Sequence, residues 1–437
     1  MEQFFAYRRL TMINHNALET VHHAYCADLA GVVPQYRSYC FDGVPWSIER
    51  ILTAANTDHP GLPRDCFPQI DGIRQVVLLF IDGFGWKQWE RFAETLNFLT
   101  RFAYDGTVSK LTSMFPSTTC AHVTCVHSGL SPSESGLYEW FQYEPTLDAM
   151  IAPLLFSFAG EHRRDGLCEV GAEPEMFFPH TTIHQRLAAA RVDSIYITPD
   201  AFTPSPFNNV ACQGGHAIPY KSLGDGLCEL TDVMESPIEH RRYVHYYYGN
   251  VDLASHQSGP SSPHTADVIE RLFRALENEL IAKLTPRNDT LICLVADHGM
   301  AEVTPETALY LNELEPSIVD ALAKDVRGQP LAPAGSPRDL FLHFPESAVD
   351  HWVSRLSDRL SEVARVYATE TLINRKLFGP TPASPAFRQR VGNVVVLPHE
   401  DETVWWFEPD KYSVKHHGEH GGLSASEMEI PFLALRV

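Results

Sequence analysis

Four short strings, spread along most of the chain, carry side chains of the types that bind hard cations: Asp82 in FIDGFG, Asp252 and His256 in DLASH, Asp297 and His298 in ADHGM, and His420 in EHGG. Carboxylate oxygens and imidazole nitrogens suit Zn2+, and they also suit Mn2+ and Fe. Together the strings hold enough donors for two ions. A fifth string, FPSTTCAHVTCVHSGL at 115 to 130, is a hydroxyl-rich turn leading into a helix, and its key alcohol is Thr119. A threonine hydroxyl is a poor nucleophile near neutral pH, but contact with a divalent cation lowers its pKa enough to form an alkoxide. A helix N-terminus there would add free N–H groups for a phosphoryl oxygen.

Each signal has a plainer reading. Asp82 with Gly83 and Gly85 is also an ordinary turn. Asp252 and His256 are four apart and share one face of a helical turn, where such pairs are commonly solvated. His256 is preferred to His245 and His264, which lack a carboxylate at matching spacing. Asp297 and His298 follow the most apolar run of the chain and could diverge toward two metals in a loop or simply pack there. His420 is chosen over His416 and His417 only for the glycines that follow it. Ser117, Thr118 and Thr119 would serve equally as helix caps. Cys120 and Cys125 read as core thiols, and Trp405, Trp406 and Phe407 read as packing.

The elements that must position these groups are legible as well. QVVLLFI at 75 to 81, YVHYYYG at 243 to 249 and TLICLVA at 290 to 296 are strand-like, each closing near an acidic residue. In an open α/β sheet ligands gather at the carboxyl ends of the strands, so the three aspartates are expected to share one crevice. Helices are expected around 86 to 103, in a helix-to-strand unit at 180 to 197, and at 264 to 284. The α/β rhythm predicts a catalytic core from 71 to 300 plus 413 to 437. A proline-rich stretch from 301 to 412 is a candidate cap insertion, and 1 to 70 an N-terminal extension.

Composition narrows the class. The chain has 437 residues, 44% hydrophobic and 20% charged, which fits an enzyme-sized globular protein. A net charge of −21 argues against a long nucleic acid as partner and leaves a small phosphate ester admissible, since clustered cations dominate locally. No apolar run is long enough to span a bilayer, so no membrane partner is expected. The first twenty residues lack a secretory pattern, and nine cysteines without a CxxC pair read as buried reduced thiols. A cytoplasmic location is the expectation; the sequence carries no signal of oligomeric state.

Taken in order, FIDGFG, FPSTTCAHVTCVHSGLSPSESGLYEW, DLASH, ADHGM and EHGGLS resemble the alkaline phosphatase superfamily, and within it the nucleotide pyrophosphatase/phosphodiesterase branch. The resemblance runs from about residue 75 to the end, weakly between 301 and 412. It implies a three-layer α/β/α sandwich with a mostly parallel central sheet and an inserted cap subdomain. It also implies two divalent ions, Zn2+ first: one on Asp252, His256 and His420, the other on Asp82, Thr119, Asp297 and His298. Thr119 occupies the family's nucleophile position. The implied activity is hydrolysis of phosphodiester or pyrophosphate bonds, with a nucleotide among the candidate substrates, through a covalent phosphothreonine. The chain departs from the family at His122, where an asparagine usually contacts a phosphoryl oxygen; a histidine could donate the same bond. A phosphomonoesterase, phosphonate hydrolase or phosphomutase of the same superfamily is the alternative, as is an inactive metal-binding relative. The sulfatase branch does not fit, because Cys120 lacks a CxPSR-like context.

Overall fold

The run QVVLLFI forms strand β1 (Gln75–Ile81), buried at all seven positions. A strand apolar on both faces is stable only with both faces covered, which is the situation of a parallel sheet between helices. Around it lie β2 (Thr107–Thr112), β3 (Asp193–Pro199), β4 (His216–Tyr220), β5 (Arg242–Tyr248), β6 (Thr290–Val295) and β7 (Glu429–Arg436). The computed structural model describes residues 12–55, 57–161, 163–178 and 180–437. Its seven-stranded sheet has the order β2-β7-β6-β1-β5-β3-β4. β1 is parallel to β5 and β6, β5 to β3, and β3 to β4, while β7 is antiparallel to both β6 and β2. Six strands therefore run one way, and the fold is a mixed α/β architecture with a mostly parallel central sheet.

Helices cover both faces. Gly43–Thr53, Thr119–Ser128 (α1) and Ile183–Ala189 pack on one another in one group, and Asn97–Asp105, Leu223–Glu235 and Pro263–Ala275 in a second. The single helix expected at 86 to 103 is two helices, Trp86–Phe92 and Asn97–Asp105, because Leu96 between them adopts an extended conformation (φ −106°, ψ 114°). The helix expected at 264 to 284 ends as an α-helix at Ala275 and continues as a wider π turn over Leu276–Leu280. The segment before β1 contributes Phe41, Val44, Ile48 and Leu52 to the main core, and Ala24, Leu29 and Val32 to a separate apolar cluster. The first eleven residues of the N-terminal extension lie outside the described residues.

Between β6 and β7 the chain builds a second, four-stranded antiparallel sheet in the order Ala334–Ser336, Asp339–Leu342, Val394–Pro398, Ala364–Ala368. It has its own apolar core, in which Trp352, Leu356, Val396, Trp405 and Trp406 are buried; Phe407 is partly exposed. Arg338 and Glu427, both fully buried, tie this sheet to the C-terminal segment, with Nε to Oε1 at 3.0 Å and Nη2 to Oε2 at 2.8 Å. All nine cysteines are unpaired; six are buried, but Cys168 and Cys228 are exposed and Cys26 half-buried, so the expected burial fails at those three. Among the described residues no helix is long and apolar enough to cross a membrane.

Candidate active site

The three central strands β6, β1 and β5 lie side by side and parallel, and their carboxyl ends each deliver an acidic residue. Asp82 follows β1 directly, Asp297 stands two residues beyond β6, and helix α2 (Asn250–Ser258) starts two residues beyond β5 and carries Asp252 and His256 on successive turns. His420 arrives from the far end of the chain. The short strand Gly418–Glu419 pairs with Ala301–Glu302, and the His417 N–H donates to His256 O at 2.8 Å, which fixes His420 beside α2.

The metal donors expected from sequence converge. Asp252, His256 and His420 present ligand atoms within 4.8 Å of one another, and so do Asp82, Asp252 and His298. The His298 Nε2 atom is 3.4 Å from Asp82 Oδ1 and 3.3 Å from Asp297 Oδ2. The Asp252 Oδ1 atom is 3.4 Å from His256 Nε2 and 3.7 Å from His420 Nε2. Each histidine is held by its other nitrogen: Nδ1–H donates to a backbone carbonyl, Gly299 O at 2.8 Å for His298, Gly418 O at 2.7 Å for His256, and Ser117 O at 2.8 Å for His420. Anchoring Nδ1 this way fixes the tautomer and turns a lone pair on Nε2 toward the centre, as in the outer shell of metal-binding histidines.

Those lone pairs face carboxylate oxygens, so acceptors meet acceptors. Asp252 Oδ1 and Asp297 Oδ2 are buried with no hydrogen-bond partner. Burial, with Asp297 and Asp252 close by, pushes the Asp82 carboxyl well above the usual carboxylate range, and burial raises Asp252 and Asp297 as well. Burial likewise holds His298 and His420 well below the usual imidazole range. An arrangement in which neutral imidazoles and crowded carboxylates surround one space fits divalent cations, which reverse the penalty on every one of these groups.

Thr119 is the first residue of α1, and its hydroxyl faces the same space. Its Oγ1 is 3.5 Å from both Asp82 oxygens and 3.2 Å from His298 Nε2. The neighbouring hydroxyls point elsewhere: Ser117 donates to Gly422 O at 2.8 Å and Thr118 to Tyr138 O at 3.1 Å. No side chain caps the helix, so the capping alternative does not describe this turn.

His122 is the departure from expectation. It is fully buried; its Nδ1–H donates to Thr118 O at 2.7 Å, while Nε2 accepts the Met114 N–H at 3.0 Å and lies 2.9 Å from Ser113 Oγ. Both ring nitrogens are used, and burial pulls its pKa down to about 3. The expected phosphoryl contact therefore has no donor here. His416, passed over in the sequence, is half-exposed and pairs with Glu419 at 3.0 Å.

Beside Asp82, Thr119 and Asp252 opens a cavity of about 410 Å3, lined among others by Trp140, Leu154, Arg164, Phe202 and Tyr247. Phe202 and Tyr247 meet edge-on at 5.9 Å, and the Arg164 guanidinium lies 5.2 Å over the Phe202 ring. Tyr247 also donates its hydroxyl to Asp82 Oδ2. Sequence reading assigned Tyr247 no role, although strand alternation supplied a signal: at the end of β5 it shares a face with His245.

The sequence profile of the type I phosphodiesterase/nucleotide pyrophosphatase family matches residues 76–423. No curated protein matches the sequence. Among solved structures, murine ectonucleotide pyrophosphatase/phosphodiesterase 5 is similar in fold, with a TM-score of 0.60 at 18% identity over 82% of this chain and 87% of that one. An inactive variant of the murine protein in complex with AMP gives 0.61 at 17% identity, over 83% and 88%. The human protein of the same name gives 0.61 at 17% identity, over 82% and 87%.

Proposed function

We propose, since this chain belongs to the type I phosphodiesterase/nucleotide pyrophosphatase family, that it cleaves phosphodiester or pyrophosphate bonds of a nucleotide-sized substrate with Thr119 as nucleophile. The observation that carries the reading is the position of the Thr119 hydroxyl: at the start of an uncapped helix, 3.2 Å from His298 Nε2, beside the unpartnered Asp297 and Asp252 oxygens. The donor set fits two divalent ions, one on Asp252, His256 and His420 and one on Asp82, Asp297, His298 and Thr119; Zn2+ suits these ligands, as do Mn2+ and Fe. When bound, such ions would lower the pKa of the alcohol and neutralise charge on the phosphoryl oxygens.

The residues of the chain supply the rest. Thr119 Oγ attacks phosphorus, its proton leaves for solvent, and the leaving alcohol or phosphate departs opposite it. The first N–H groups of α1 point at the oxygens of the transferred group. Tyr247 holds Asp82 by its hydroxyl and leaves that carboxylate one orientation. The phosphothreonine ester is then cleaved by water, and the two inversions give net retention at phosphorus. The cavity beside Thr119, with Phe202, Tyr247 and Trp140 in its lining, suits a flat aromatic base, and a relative of the same fold has been captured with AMP. We place the protein in a reducing, cytoplasmic setting on its nine unpaired cysteines; cell fractionation tests this.

The deciding experiment compares p-nitrophenyl phosphate, bis-p-nitrophenyl phosphate and a nucleoside 5′-p-nitrophenyl ester on metal-loaded wild type and Thr119→Ala. The nucleoside diester is expected to turn over fastest, with Thr119→Ala reduced about 1000-fold or more. Wild-type rates in a Thr119→Ala protein that still holds its metals would remove the nucleophile. Turnover of the monoester alone would move the assignment to a phosphatase.

A further inference from the structure

A second group of metal-ligating side chains lies outside the aspartate-rich centre. His127 in the last turn of α1, His184 on the helix Ile183–Ala189 and Cys212 at the end of the helix Pro206–Ala211 bring their donor atoms within 4.8 Å of one another. All three are buried, at 4%, 0% and 4% exposure. The His127 Nδ1 atom is 3.0 Å from His184 Nε2 and 3.9 Å from Cys212 Sγ. A tetrahedral zinc with ordinary bond lengths has nitrogen–nitrogen edges of about 3.3 Å and nitrogen–sulfur edges of about 3.6 Å. The observed separations are within a few tenths of an ångström of both.

The surroundings are arranged as for a bound ion. His184 Nδ1 lies 2.6 Å from Ser194 Oγ, which fixes the ring and leaves Nε2 for the cluster. His245, on β5, stands edge-on to His127 with ring centroids 5.1 Å apart. It is 3% exposed, and neither of its ring nitrogens has a hydrogen-bond partner. A chain of neutral imidazoles accounts for His127 and His184 but leaves both ring nitrogens of His245 without a partner. Burial lowers the pKa of all three histidines. His127 and His245 also line the substrate cavity, which supplies an entry path.

We propose that His127, His184 and Cys212 hold a third metal ion, a site suited to Zn2+, which pins the C-terminal end of the nucleophile helix to two neighbouring helices, with His245 of β5 beside it. Binding exchanges the Cys212 S–H proton, which goes to solvent, for a Zn–S bond; the proton between His127 Nδ1 and His184 Nε2 moves to the far nitrogen of its own ring, so both imidazoles stay neutral and bind through lone pairs. Thiolate among the donors sets this site apart from the all-oxygen-and-nitrogen centre at Asp82.

The test is metal content and ligation of the full-length protein loaded with Zn2+ and desalted. Wild type should retain three zinc ions per chain and show a sulfur shell in zinc X-ray absorption. Cys212→Ser should retain two and lose the sulfur shell, and Asp82→Asn should keep the sulfur shell. Loading with Co2+ should give a thiolate-to-cobalt charge-transfer band in wild type and none in Cys212→Ser. A wild-type protein with no sulfur shell and no such band overturns the site, and that measurement needs no variant to fold. Persistence of the sulfur shell in a folded Cys212→Ser protein overturns it equally.

Discussion

Gly83 shows how closely the site is built. Its φ is +73°, and a β-carbon there would lie 2.8 Å from the Asp252 Cα, so a side chain would both strain the turn and push Asp252 away. Gly83→Ala is expected to lower activity about 10- to 100-fold and to weaken retention of metal at the Asp252 cluster, the range seen when the support of a ligand is lost. Activity alongside metal content in the same preparation checks it, and an unchanged metal content would place the loss elsewhere. His122 illustrates the opposite case, a residue whose type suggested contact with substrate. Its ring packs 4.7 Å from that of Phe41 and spends both nitrogens on the protein.

At the scale of elements, the insertion and the site share one anchor. Glu427 accepts from Nε and Nη2 of Arg338 and from the Gly422 N–H at 2.9 Å, two residues beyond His420. Removing one partner strands the other as a buried charge, so Arg338→Met is expected to destabilise the protein by about 3–5 kcal/mol in denaturant unfolding. Near the same sheet, Glu139 and Asp339 are buried carboxyls, each with an unpartnered oxygen. Burial raises the Glu139 carboxyl to about 8, and burial together with Glu139 raises Asp339. Between about pH 4.5 and 8 the folded chain keeps the Glu139 proton while the unfolded chain has released it. Stability from this group is present below that window and is lost as pH rises through it. Glu139→Gln, which cannot ionise, should flatten the decline by up to about 1.4 kcal/mol per pH unit. Melting temperatures across pH 5 to 8.5 for the two proteins would show it; parallel curves would refute it.

For the whole molecule, the main consequence is linkage between cations and folding. Asp82 and Asp297, both buried, and the partly buried Asp252 surround one space, and ions that bind the folded form alone would stabilise it by mass action, about 2.7 kcal/mol at a hundredfold excess over Kd. Chelation is expected to lower the melting temperature by several degrees and to abolish diesterase activity, with both restored by Zn2+. A melting temperature indifferent to chelator and to added Zn2+ would mean that the carboxylates settle their repulsion with protons instead.

The local strings were informative because each sits where one strand ends. An apolar run buried on both faces must lie inside the sheet, and the residue after it must emerge at the carboxyl edge; Asp82, Asp297 and the DLASH helix follow from sequence on that ground. Thr119 was legible for a related reason, as the hydroxyl opening a helix. What sequence could not supply is adjacency between strands: β6, β1 and β5 are neighbours, and β7 runs against them, through pairings more than a hundred residues apart. The same holds for His122, turned inward by Phe41 from a segment without motifs, and for His127, His184, Cys212 and His245. No spacing rule joins those four residues. Only the packing of three helices brings the donor atoms of His127, His184 and Cys212 together, with His245 of the strand beneath beside them, because ligand chemistry depends on distance in space and the chain records only order.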